Sequence, residues 1–313
     1  MYSDPTSVTH ITIIGAGPIG AGWAAHFLAR GYDVNAYIHD PKERESFDAI
    51  LDTAWISLTA LGLAKGATLD RLSVTSDLSF AIQDTGFIQE SAPERIELKQ
   101  ALYKELGEIV PKDVVIASST SGLTMSDIQQ NCATPERCVI GHPFNPPYLL
   151  PLVEIVGGKK TSPDVVAWAG QFYKAAGKSP LTMKKEIPGF VATRLQEALW
   201  REALHMVANG EATPADIDNA LMNGPAPRMA VQGQCMAFHV ACGEGGMATN
   251  LDQFGPALKL PWTRLIAPDL TKELRDRMVD GCNAIAGTET FENMAAKRDA
   301  QIVAVLRAIR DTN

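Results

Sequence analysis

His142, Asn145 and Glu154 lie within one stretch, residues 141–158 (GHPFNPPYLLPLVEIVGG), whose other members are mostly apolar or proline. A turn between them would set His142 and Glu154 face to face. A carboxylate on one imidazole nitrogen fixes the tautomer and makes the other nitrogen a better base. Such a pair can take the proton from an alcohol while hydride leaves for a nicotinamide. The same spacing also describes a buried histidine satisfied by a neighbouring acid, and spacing alone does not separate the two.

A second group of residues points to the hydride acceptor. Gly15-Ala16-Gly17-Pro18-Ile19-Gly20 follows a β-like run, residues 10–14, and opens a helix-like one. In that setting the glycines give a tight turn, close approach of a pyrophosphate and close helix–strand packing, while the helix N-terminus holds the phosphates. A glycine-rich turn without a ligand is the weaker reading. NAD is the expected cofactor. The acid that holds its adenosine ribose belongs at the end of the second strand; Ile38 stands there, and the nearest acid is Asp40. Asp40-Pro41-Lys42-Glu43 also reads as a helix start capped by Asp40, so two roles compete for one side chain. No arginine follows directly to meet a 2′-phosphate, but Lys42 and Arg44 leave NADP open.

The elements that must carry these residues follow from the hydrophobic pattern. Residues 10–14, 33–38, 86–91, 114–119, 138–142 and 152–156 read as strands, with helical stretches such as 93–110 between them. Apolar strands alternating with helices predict an α/β domain, a Rossmann-like, doubly wound parallel sheet covered on both faces. Ligands of such sheets gather at the carboxyl ends of the strands. Those ends are polar here: residues 89–94 (QESAPE), 118–121 (SSTS) and His142. Beyond residue 187 the pattern turns helical. Residues 190–209 carry apolar side chains at helical spacing, and Thr213-Pro214-Ala215-Asp216 is a capped helix start. The expected organisation is a dinucleotide-binding domain over 1–187 and an all-α domain over 188–313.

The bulk numbers agree with two domains and a sizeable core: 313 residues, 46% hydrophobic and 20% charged. A net charge of −8 argues against nucleic-acid or anionic-membrane partners, which call for a basic face. No apolar run reaches the ~18–20 residues of a membrane helix, and the first ten residues do not read as a signal peptide. Five scattered cysteines without metal-ligand spacing fit free thiols in the cytoplasm, with Cys235 and Cys242 as small core residues. No metal is expected.

Taken in order, GAGPIG, residues 90–94 (ESAPE) with Lys99, 117–123 (ASSTSGL), 142–146 (HPFNP), 152–154 (LVE) and 188–190 (PGF) resemble the 3-hydroxyacyl-CoA dehydrogenase family over essentially the whole chain. Residues 89–95 (QESAPER), 118–123, 197–205 (EALWREALH) and 253–263 (QFGPALKLPWT) are most similar to its carnitine-oxidising branch. The resemblance implies His142 as catalytic base and Glu154 as its carboxylate partner. It implies Ser121 on the substrate oxygen near the nicotinamide, Asn145 helping to hold that site, and Glu94 and Lys99 on the cofactor side. It also implies that the C-terminal helices form the other wall of the cleft and a homodimer interface.

Two positions depart from the family pattern. The asparagine of PGFxxN is Thr193 here, and Met229 stands where the carnitine branch carries a tryptophan. A small zwitterionic or carboxylate substrate needs a cation for its carboxylate, with Arg194 and Arg228 as candidates. Its ammonium needs an aromatic face, with Phe144 and Trp200 as candidates. Taken alone, Trp200 fits a packing role on its long helix better. The expected reaction is oxidation of the 3-hydroxyl of carnitine, with a 3-hydroxyacyl-CoA or L-gulonate as rival substrates. A crystallin-like dinucleotide-binding protein is the rival from another class.

Overall fold

In the computed structural model eight short strands form one sheet: β1 (His10–Ile14), β2 (Asp33–Tyr37), β3 (Leu72–Thr75), β4 (Phe87–Glu90), β5 (Val115–Ser118), β6 (Cys138–Pro143), β7 (Leu152–Gly157) and β8 (Ser179–Thr182). The structure describes the chain except residues 1, 231–232, 243–245, 257–259, 261–262, 264–268, 270, 275, 278, 281–287, 289 and 313. It divides into two units, Met1–Val191 and Ala192–Asn313.

The strand order is β3-β2-β1-β4-β5-β6-β7-β8, doubly wound about β1 and β4. Helices α1 (Pro18–Ala29), α2 (Arg44–Leu61), α3 (Leu78–Ala81), α4 (Ile96–Ile109), α5 (Met125–Ile128) and α6 (Pro163–Ala175) complete the first unit. Alternation along β4 shows how the faces are shared. Phe87 lies 4.1 Å from Phe172 of α6 between ring centres, and Gln89 receives the hydroxyl of Tyr173. Ile88 instead joins a core with Tyr103 and Leu106 of α4, and Glu90 meets Lys99 of the same helix. Each large apolar side chain so buried contributes about 1.5–3 kcal/mol.

The sheet departs from the expected parallel pattern at one place. β6 and β7 run antiparallel, with His142 directly opposite Glu154. Only residues 144–151 join them, and a parallel crossover needs a dozen residues or more. β3 and β8 lie outside the expected strands. β3 (LSVT) has no fully buried side chain, and β8 (SPLT) is an edge strand with a proline, so neither carries the apolar signal of a central strand.

The second unit contains α7 (Ala192–Ala208), α8 (Pro214–Asn223), α9 (Pro225–Met229), α10 (Gln234–Ala241), α11 (Gly246–Phe254) and a final helix, Phe291–Thr312, with no strand among the described residues. α8 starts at a capping box: the Thr213 hydroxyl accepts from the Asp216 N–H, and Asp216 accepts from the Thr213 N–H. Ala203, Leu204 and Val207 of α7 pack with Ile217 and Leu274. Cys235 is exposed and Cys242 half-buried, so neither is the core residue the sequence suggested. Many larger apolar side chains of this unit also stay exposed, among them Leu195, Met222 and Phe254. No helix among the described residues is long and apolar enough to cross a membrane.

Candidate active site

The turn between β1 and α1 is built from glycines for reasons visible in its neighbours. Gly15 has φ +118°, and a Cβ there would stand 2.5 Å from the Ser91 carbonyl oxygen. A Cβ on Gly20 would stand 2.0 Å from the carbonyl oxygen of Gly15, so the helix closes on its own turn. Gly17 is different: nothing lies within 4 Å of the place its Cβ would take. Gly17 is also the N-cap of α1, and no side chain caps that helix. Open space beside uncapped N–H groups is what a pyrophosphate requires.

That turn borders a cavity of about 640 Å³, lined also by Ala16, Pro18 and Ile19 and reaching Tyr37, Asp40 and Glu105. Its size and position fit a dinucleotide. Ile38 is buried, its N–H bonds the carbonyl of Thr75, and it does not border the cavity, whereas Tyr37, His39 and Asp40 do. Asp40 takes the capping role, accepting from the Lys42 N–H at 3.0 Å, and it borders the cavity. The Tyr37 hydroxyl, 3.1 Å from His39 Nδ1, is a cavity feature that the sequence did not disclose.

A smaller cavity of about 190 Å³ adjoins it, bordered by Ile19, Ser91, Glu94, Lys99, Ser119 and Ser121. Glu90, Glu94 and Lys99 organise its wall. Lys99 is buried and donates to Glu90 Oε1 at 2.6 Å and to the Ala92 carbonyl at 3.0 Å; its ammonium also lies 3.7 Å from Glu94. Glu90 accepts as well from Ser118 and from the Ala92 N–H, both at 2.6 Å. Glu94 Oε1 accepts the Thr120 hydroxyl and the N–H groups of Ser121 and Gly122. Burial alone would push the Glu94 carboxyl up. The Thr120 hydroxyl, the Lys99 charge and the two N–H groups outweigh it and hold the carboxyl below its usual range.

On the neighbouring hairpin, His142 Nδ1 lies 3.0 Å from Glu154 Oε2. Opposed residues of an antiparallel pair share a face, which is why residues twelve apart in sequence meet. Glu154 is fully buried, and its other oxygen accepts the Val191 N–H at 2.8 Å. A turn brings that N–H in: Gly189 has φ +69° and Phe190 φ +52°. An ionised carboxylate only accepts, so Nδ1 carries the hydrogen, and in the neutral imidazole Nε2 keeps its lone pair. Phe144 stands edge-on to the imidazole at 5.6 Å, and Phe190 covers it at 5.3 Å. Asn145 is exposed and precedes Pro146 through a cis peptide bond. Gln89 ties this hairpin to the cavity wall, donating to the Gly141 carbonyl at 3.2 Å and to Ser119 at 2.8 Å.

The first unit thus brings Glu94, Lys99 and Ser121 to one cavity and pairs His142 with Glu154. The remaining candidates belong to the second unit: Thr193, Arg194 and Trp200 on α7 and Arg228 on α9. Thr193 is half-buried; Arg194, Trp200 and Arg228 are exposed, as is Met229. Residues 253–263 lie partly outside the described residues.

Residues 10–187 match the family model for the 3-hydroxyacyl-CoA dehydrogenase NAD binding domain, and residues 189–276 match the model for the C-terminal domain of the same family. The L-carnitine dehydrogenase of Streptomyces coelicolor is 55% identical over 306 residues, 98% of this chain and 96% of that protein. The L-carnitine dehydrogenase of a Pseudomonas species is 47% identical over 305 residues, 96% of this chain and 95% of that one. Among solved structures, 5-formyl-3-hydroxy-2-methylpyridine 4-carboxylic acid 5-dehydrogenase, an NAD+-dependent dismutase, superposes with a TM-score of 0.80 at 29% identity, covering 97% of this chain and 99% of that one. The 3-hydroxybutyryl-CoA dehydrogenase of Escherichia coli K12 gives 0.65 at 26% identity, covering 88% of this chain and 57% of that one.

Proposed function

From the premise that this chain belongs to the 3-hydroxyacyl-CoA dehydrogenase family and is an NAD-dependent oxidoreductase, we propose that it oxidises the 3-hydroxyl of L-carnitine to 3-dehydrocarnitine. Relatives named L-carnitine dehydrogenase, 43–55% identical over nearly the whole chain, support the substrate. The buried His142–Glu154 contact at 3.0 Å carries the mechanism.

His142 Nε2 takes the hydroxyl proton. Glu154, fixed by the Val191 N–H, stabilises the imidazolium that results and keeps the ring in one tautomer. Bound NAD would supply the hydride acceptor. Gly15, Ala16, Gly17, Pro18, Ile19 and Gly20 would hold its pyrophosphate at the start of α1 and Asp40 its ribose, with Glu94 and Lys99 walling the smaller cavity. Ser121 donates to the substrate oxygen, and Asn145 steadies the loop beyond the base. Phe144, already against the imidazole, is the aromatic face offered to the trimethylammonium group. On the second unit, Arg194 and Arg228 are the cations we propose for the carboxylate, with Thr193 and Trp200 as further substrate-binding candidates. We assign the enzyme to the cytoplasm and to a homodimer; the exposed apolar side chains of the helical unit support a partner surface there.

The test is a substrate panel followed by the absorbance of reduced nicotinamide. L-carnitine with NAD is expected to turn over faster than 3-hydroxybutyryl-CoA or L-gulonate. Turnover of either rival without carnitine would sink the substrate assignment.

A further inference from the structure

Lys178, between α6 and β8, is a buried cation without an ion pair among the described residues. Its ammonium donates to the carbonyls of Pro147 and Leu150, the latter at 3.1 Å, and stands 4.9 Å from the centre of the Trp23 ring. A buried ammonium lacking a counter-ion is costly, and carbonyl dipoles and an aromatic face offset only part of that cost. The groups facing it add no negative charge. His26 is buried with Nε2 2.9 Å from the Ala176 carbonyl, and Arg30 is the charged neighbour. Burial first, then Arg30, pull the Lys178 ammonium down to about 7.

What the ammonium holds gives this arrangement a purpose. Pro147 and Leu150 belong to the 144–151 connection, which leaves β6 just after His142 and enters β7 just before Glu154. The same connection lies tight on α1, since a Cβ at Gly22 would stand 2.9 Å from Pro147 Cδ. Trp23, the next residue of α1, offers its ring to Lys178, and Ser179 donates its N–H to the Pro151 carbonyl at 2.8 Å. One side chain therefore joins the connection, the dinucleotide helix and the start of β8.

We infer that Lys178 is a positioning residue for the reaction: it fixes the 144–151 connection to α1, and so sets where the His142–Glu154 pair stands relative to the bound dinucleotide. The inference rests on that pair being the proton acceptor. Lys178 touches none of the reacting groups.

Lys178→Met removes charge and donors at similar volume, and Lys178→Gln keeps an amide donor. Both are measured for kcat, for KM of the alcohol and for NAD Kd by titration calorimetry, with His142→Ala alongside. The Met variant is expected to lose kcat by about ten- to a hundredfold, the scale of a small misplacement of reacting groups, with KM and Kd within about twofold. The Gln variant is expected to recover part of that loss. A Met variant with kcat within about twofold of the parent overturns the inference, as does a rise in KM or Kd that matches the loss. Failure of both variants to yield folded, NAD-binding protein also overturns it, because Lys178 is then a requirement of the fold alone. Near-parental activity in His142→Ala would instead overturn the base assignment.

Discussion

Glu90 and Glu154 are fully buried carboxylates on strands of the same sheet, each with a basic side chain against it. Around Glu90 both carboxylate oxygens are held by donors. Lys99 gives its hydrogens to Glu90 and the Ala92 carbonyl, with Glu94 close by, and Ser118 and the Ala92 N–H complete the shell. Around Glu154 one place is left over. The Val191 N–H and His142 Nδ1 satisfy the carboxylate, while His142 Nε2 has no protein partner among the described residues. Burial is alike in the two sites. On the proposed mechanism, the spare lone pair makes one of them a reagent and leaves the other a brace.

Substituting Glu154 should break this contrast most sharply. Glu154→Gln puts an amide against Nδ1 and loses the carboxylate that stabilises the imidazolium, so kcat should fall by about two to four orders of magnitude. Steady-state kinetics with carnitine checks this, and a loss below tenfold would make Glu154 a packing group. On the braced side the effect should appear as stability. Lys99→Met leaves Glu90 charged and unpaired in the interior and should cost about 3–5 kcal/mol in denaturant unfolding. Ser118→Ala, which removes only one neutral donor from Glu90, should cost about 1.5–3 kcal/mol by the same measurement.

The smallest effect concerns acid. The Glu94 carboxyl is held below its ordinary value in the folded chain, so its contribution is present above the unfolded carboxyl's range. It is lost as the pH falls through the lowered folded value. Unfolding followed from neutral to acid pH should therefore be slightly steeper in the parent than in Glu94→Gln. Identical slopes would mean that the Thr120, Lys99 and backbone contacts do not favour the charged form.

The same contrast explains what the sequence disclosed. Gly15 and Gly20 were legible because backbone geometry and close approach admit no side chain, so the requirement is written as a residue letter. His142 and Glu154 were legible as a candidate pair but not as a settled one. Their meeting depends on an antiparallel reversal inside a sheet whose strand–helix alternation predicts parallel neighbours. The Val191 N–H carried no signal, since any non-proline residue supplies that donor. Lys178 was equally silent: its acceptors are carbonyls, and a lone lysine before an edge strand reads as a surface residue. Asp40 was legible with two competing roles, of which the structure displays the cap on the Lys42 N–H. Cys235 was misread because a small residue in an apolar sequence reads as core, whereas much of the apolar surface of the helical unit is exposed.

The antiparallel register of β6 and β7 also bears on how this chain tolerates changes in length. Slipping one residue along a strand turns every later side chain to the opposite face. An insertion or deletion between His142 and Glu154 that altered the ladder would leave the two side chains back to back, with every residue type intact. A change of length within the paired strands, residues 139–143 or 153–157, would therefore separate His142 from Glu154 without altering a single residue type.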